Sequence, residues 1–77
     1  MVPQSRALKL DSLSKQELRI LALVARGLDD PAIGKRVGIT HMAVRASLHR
    51  TYRKLGIVTN GKNPRVSAVL WYLEGKG

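Results

Sequence analysis

Between Leu13 and Leu73 each apolar stretch is fenced by a helix-start and a helix-stop signal, and this punctuation points to short α-helices joined by tight turns. Ser14-Lys15-Gln16-Glu17 has the form of a capping box: the Ser14 hydroxyl accepts from the Glu17 amide while the Glu17 carboxylate accepts from the Ser14 amide. Leu13 in front of it suits a hydrophobic staple. Leu18, Leu21, Ala22 and Ala25 then recur at helical spacing, Ile20 and Val24 widen the stripe, and Gly27 supplies a left-handed stop. The spacing predicts a first helix from about Ser14 to Arg26.

A second, shorter helix starts at Asp29 or Asp30, with Pro31 in the first turn, where its missing amide donor costs nothing. Ala32, Ile33 and Val37 are its apolar contacts. Gly38 suits a tight turn at positive φ, and Thr40 is a good cap for a third helix from about His41 to Leu55. Two helices joined by a glycine-containing turn make a helix-turn-helix.

The third helix divides sharply. Val44, Leu48, Thr51 and Leu55 fall on one side, while Arg45, His49 and Arg53 form a line on the other, with Ala46 and Arg50 beside it. Gly56 ends this helix, and Val58 to Lys62 read as a polar loop. Asn63-Pro64 restarts a helix, over about 64–74, in which Val66, Val69, Leu70 and Leu73 supply the expected core stripe. Ala68, Trp71 and Tyr72 then point roughly opposite. They form a patch that so small a chain could hardly bury alone; Trp71 and Tyr72 read by default as core or lid aromatics, with a self-association surface as the sharper reading.

Seventy-seven residues make one small domain with a single modest core. Residues 1–12 mix Pro, Ser and basic residues without periodicity and read as a flexible arm or linker stub ahead of a domain at 13–77. No apolar run approaches the roughly 20 residues of a membrane span, and the first residues lack a signal-peptide core, so a cytoplasmic, nucleoid-associated location is expected. With no cysteine and two histidines, no disulfide is possible and neither a metal nor a cofactor is expected. An enzyme reading finds no nucleophile-base pair, paired carboxylates or glycine-rich phosphate loop.

The net charge of +9 draws polyanions at long range, and its distribution is uneven. From Pro31 to Leu73 there are eight Lys and Arg residues and no acid. In a helix-turn-helix the second helix lies in the major groove, its N-terminal side chains reaching base edges. Arg45, Ala46 and His49 occupy that edge: Arg can donate twice to guanine, His can donate or accept, and Ala offers a methyl to thymine. Arg50, Arg53 and Lys54 are placed to grip phosphates, which positions the protein without specifying sequence.

Leu13 to Leu28, Ile33 to Ile39 and Thr51-Tyr-Arg-Lys-Leu-Gly-Ile57 together resemble the LuxR/GerE-type DNA-binding domain, over about residues 13–73. The resemblance implies an all-α, compact four-helix domain whose third helix reads the major groove and whose fourth forms a two-fold dimer contact. By position, it assigns base reading to Arg45, Ala46 and His49, phosphate contact to Lys54 and the cap to Thr40, itself placed against a phosphate. Val66-Ser-Ala-Val-Leu-Trp71 is similar to the response-regulator form, which implies a homodimer through Ala68, Trp71 and Tyr72.

Departures from the family pattern carry expectations of their own. Asp30-Pro31-Ala32 stands where Asn-Lys-Glu is common, which removes a phosphate contact and adds repulsion. Gly34 replaces an Ala, at an expected cost of about 0.5–1 kcal/mol in helix stability. Ala43 and Ser47 replace Thr and His, implying an altered operator, and the loop from Ile57 to Asn63 is several residues longer than usual.

The leading reading is a sequence-specific double-stranded DNA-binding transcription regulator, dimeric on an inverted repeat. One alternative is a promoter-reading module like region 4 of a sigma factor, with RNA polymerase as partner; a strong helix after Gly56 argues against it. The other is a basic module that binds an acidic protein partner.

Overall fold

Three short side chains set the starts of three helices. The Glu17, Ala32 and Ala43 amides donate to Ser14 Oγ (3.1 Å), Asp29 Oδ1 (3.0 Å) and Thr40 Oγ1 (3.1 Å), each cap contributing about 1 kcal/mol. The Ser14 amide returns a 2.8 Å bond to Glu17 Oε1, completing the capping box. The computed structural model describes residues 10–57 and 63–76. Within them run α1 (Lys15–Ala25), α2 (Asp30–Val37), α3 (His41–Leu55) and α4 (Pro64–Lys76), with no strand among the described residues. Each boundary falls within about two residues of its sequence expectation, and the fold is the all-α helix-turn-helix arrangement.

The turn between α2 and α3 explains two glycines. Gly38 sits at φ 83°, where an L side chain is strained, and its amide donates to the Gly34 carbonyl at 2.7 Å. Gly34 needs its missing side chain for another reason: a Cβ there would lie 2.6 Å from the Ile39 backbone oxygen. The expectation that Gly34 merely weakens α2 is therefore corrected. It lets the turn close over the helix.

The core is built from Ile20, Leu21, Val24, Ile33, Val44, Leu48 and Leu55, joined by Leu10 and Leu13. Burying each large aliphatic side chain stabilises the fold by about 1.5–3 kcal/mol. Helix α1 lies centrally against α3 and α4, and α2 packs chiefly on α3. Leu10, expected from the sequence to lie in the arm, is helical and buried, and its carbonyl accepts the Leu13 amide at 3.0 Å. The rest of the proposed arm, residues 1–9, and the polar loop at 58–62 lie outside the described residues.

Helix α4 is present but turned over relative to expectation. Ala68 is fully buried, and Val69, Trp71 and Tyr72 pack against the core, whereas Val66, Leu70 and Leu73 are 54%, 52% and 52% exposed. Apolar periodicity names a buried face only when the opposite face is polar, and α4 is apolar on both. Small Ala68 permits close approach to the neighbouring helices, and Trp71 and Tyr72 pack partly buried at its edge.

Candidate nucleic-acid interface

Helix α3 is seated by Val44, Leu48, Thr51, Tyr52 and Leu55, all buried. Thr51 satisfies its hydroxyl by donating to the Ser47 carbonyl at 3.0 Å. The opposite side exposes His41, Met42, Arg45, Ala46, His49, Arg50, Arg53 and Lys54. These cations differ in what holds them. Among the described residues Arg45 and Arg53 have no acidic partner, while Arg50 and Lys54 lean on one carboxylate.

That carboxylate is Glu17, only 3% exposed at the first turn of α1. Lys54 Nζ donates to its Oε1 at 2.8 Å and Arg50 Nε lies 3.6 Å from its Oε2. Burial by itself would raise the Glu17 pKa, but the Lys54 hydrogen bond, the Ser14 amide and hydroxyl bonds and the Lys54 charge together hold it below its ordinary value. Glu17 therefore stays ionised at neutral pH. It fixes the end of α3 to the start of α1 and orients two exposed cations.

A second ion pair lies at the other side of α3. Arg65 Nη1 donates to Asp30 Oδ1 at 2.8 Å and its Nη2 to the Leu28 carbonyl at 2.9 Å, clasping the start of α4 to the start of α2. Asp30, Arg45, Leu48, His49, Tyr52 and Arg65 line an open cleft of about 240 Å³ beside the outward face. The His49 and Tyr52 rings are tilted with centroids 6.0 Å apart. Burial and the Asp30 charge push the Tyr52 pKa up against the lowering effect of Arg65, so the phenol is a neutral hydrogen-bonding group at this edge.

Comparison with known protein families matches residues 11–63 to the family described as bacterial regulatory proteins, luxR family. The chain belongs to the luxR family. The match spans α1, α2 and α3 and stops just before Pro64, so the whole helix-turn-helix carries it. Neither the curated proteins nor the solved structures gave a match. No described helix is long and apolar enough to cross a membrane.

Within this luxR-family domain the structure brings Arg45, Ala46, His49, Arg50, Arg53 and Lys54 onto one exposed side of α3, with Thr40 capping its start. Trp71 and Tyr72 are half-buried and Ala68 is wholly enclosed, so Ala68 offers no surface to a second chain. Ser47, expected to alter the operator, is also buried and faces the core. Asp30 is charge-paired with Arg65, so the expected repulsion of phosphate there is reduced, and Arg65 is a structural clasp rather than a loose cation.

Two ion pairs and one apolar side chain were not foreseen from the sequence. The 37-residue separation of Glu17 and Lys54 and the 35-residue separation of Asp30 and Arg65 leave no local signal. Met42 could have been found on the helical wheel, because it falls between Arg45 and Ala46 on the outward face.

Proposed function

We propose that this luxR-family chain regulates transcription by reading double-stranded DNA with α3, as a two-fold dimer on an inverted repeat. The observation that carries the reading is the pairing pattern of the cations. Among the described residues Arg45 and Arg53 have no acidic partner, on a face that also presents Ala46 and His49, while Arg50 and Lys54 are oriented by Glu17. Arg45, Ala46 and His49 then contact base edges near the start of α3. Arg50, Arg53 and Lys54 contact phosphates, with Thr40 placing the helix N-terminus against the backbone.

The dimer surface moves to the opposite side of α4 from the Ala68 patch. Val66, Leu70 and Leu73 stand at i, i+4 and i+7 and form one exposed apolar stripe. Two chains of net charge +9 repel, and α4 is where they can meet, because Arg65 at its start is already paired with Asp30. A two-fold contact there sets half-sites about 10 bp apart. The helix after Gly56, which separates this reading from the sigma-like alternative, is α4 itself.

Binding of Arg45→Ala and Arg53→Ala variants to a preferred and a scrambled duplex tests the proposal. Arg45→Ala should lose about 1–3 kcal/mol on the preferred duplex and relax specificity. Arg53→Ala should weaken both duplexes alike and flatten the salt dependence by about one phosphate contact. Arg53 is a cleaner probe than Lys54, whose removal also takes a partner from Glu17. Identical losses for the two variants on both duplexes would refute the reading.

A further inference from the structure

Met42 is 64% exposed, the most open of the large apolar side chains among the described residues. The other three, Val66, Leu70 and Leu73, share the stripe on α4, whereas Met42 stands alone in the first turn of α3. At 100° per residue, His49 and Arg53 project within about 20° of Met42, and Arg45 and Ala46 flank it on either side. An uncharged thioether thus occupies the middle of the cationic face, one turn ahead of Arg45.

In the major groove the outstanding apolar feature is the C5-methyl group of thymine. Methionine suits such a contact: it is long, unbranched and polarizable, and it adapts to a small apolar knob. It lies outside the core cluster, so its removal leaves the core intact.

We propose that Met42 is a specificity-determining residue that packs on a thymine methyl group next to the base pair approached by Arg45. The proposal rests on the DNA-reading function of α3, and its test separates the two. A duplex selected by the wild-type protein from a random pool is remade with each thymine replaced singly by deoxyuridine, which deletes only the C5-methyl. Wild type and Met42→Ala are compared by equilibrium binding, with far-ultraviolet circular dichroism confirming that the variant is folded.

At one thymine in each half-site, deoxyuridine should weaken wild type about fourfold, the loss expected for one buried methyl, and leave Met42→Ala unaffected. A variant that keeps every penalty shown by wild type would overturn the proposal, as would a wild type indifferent to all the replacements. A wild-type protein that selects no duplex overturns the DNA-reading function itself, and the Met42 assignment with it.

Discussion

Helices α3 and α4 are similar in length, 15 and 13 residues, but the domain holds them in different ways. Helix α3 has one apolar face and one cationic face, so burial and solvation agree on a single orientation, and Glu17 fixes its far end. Helix α4 is apolar on both sides. Its orientation depends on Ala68 fitting closely in the core and on Arg65 reaching Asp30 and the Leu28 carbonyl. Under the proposed function, the difference separates two tasks. A reading helix must present one fixed face to a polyanion, while an association helix keeps a second apolar face for a partner.

The largest effect should come from placing the same charge on the two sides of α4. Ala68→Asp puts a carboxylate among buried apolar groups and should remove several kcal/mol, enough to unfold a domain of this size. Leu70→Asp should leave urea unfolding within about 0.5 kcal/mol of wild type and reduce only self-association, measured by sedimentation equilibrium. Equal destabilisation by both variants would break the comparison between the two faces.

Gly34→Ala sharpens the account of how α3 is presented. Alanine gains helix propensity, but its Cβ would meet the Ile39 carbonyl oxygen at 2.6 Å, and backbone yields less readily than a side-chain tip. A net loss of about 2 kcal/mol is expected by chemical denaturation, because overpacking outweighs the propensity gain. A stabilised variant would contradict the close approach.

Glu17→Gln should cost about 1 kcal/mol at neutral pH, the charge-assisted bonds being discounted because Lys54 and Arg50 are about half exposed. Because folding lowers the Glu17 pKa, its stabilising contribution is complete above the ordinary carboxylate range. It is lost as pH falls through the depressed folded value. Wild type should therefore lose stability below about pH 4 more steeply than Glu17→Gln. Parallel acid-side curves would show that the carboxylate is not held as described.

The smallest effect is expected at Ser47, whose buried Oγ has no hydrogen-bond partner. Ser47→Ala should be neutral or stabilising by up to about 1 kcal/mol, since it removes an unsatisfied hydroxyl. DNA affinity should stay unchanged, because the side chain faces the core.

Local chemistry made much of this molecule legible in the sequence. Ser14, Asp29 and Thr40 announce their helices through bonds to amides three residues away, and the amphipathic division of α3 needs only its own residues. Family membership follows from the same local signals, and the match covers that region. What stayed hidden depends on tertiary approach. The phase of α4 could not be chosen from two apolar faces, Gly34 gains its purpose only when Ile39 folds back over it, and Glu17 meets Lys54 across two helices. The acid-free stretch from Pro31 to Leu73 likewise conceals that three of its cations are paired with acids outside it or at its border.

The most direct test of the central claim is selection of bound duplexes from a random pool, followed by sequencing, for wild type and Arg45→Ala. Wild type should enrich an inverted repeat with half-sites about 10 bp apart, and Arg45→Ala should lose the preference at one base pair of each half-site. A wild-type pool without enrichment, or the same motif recovered at full strength by Arg45→Ala, would contradict the assignment of α3 as the reading helix and Arg45 as its principal reader.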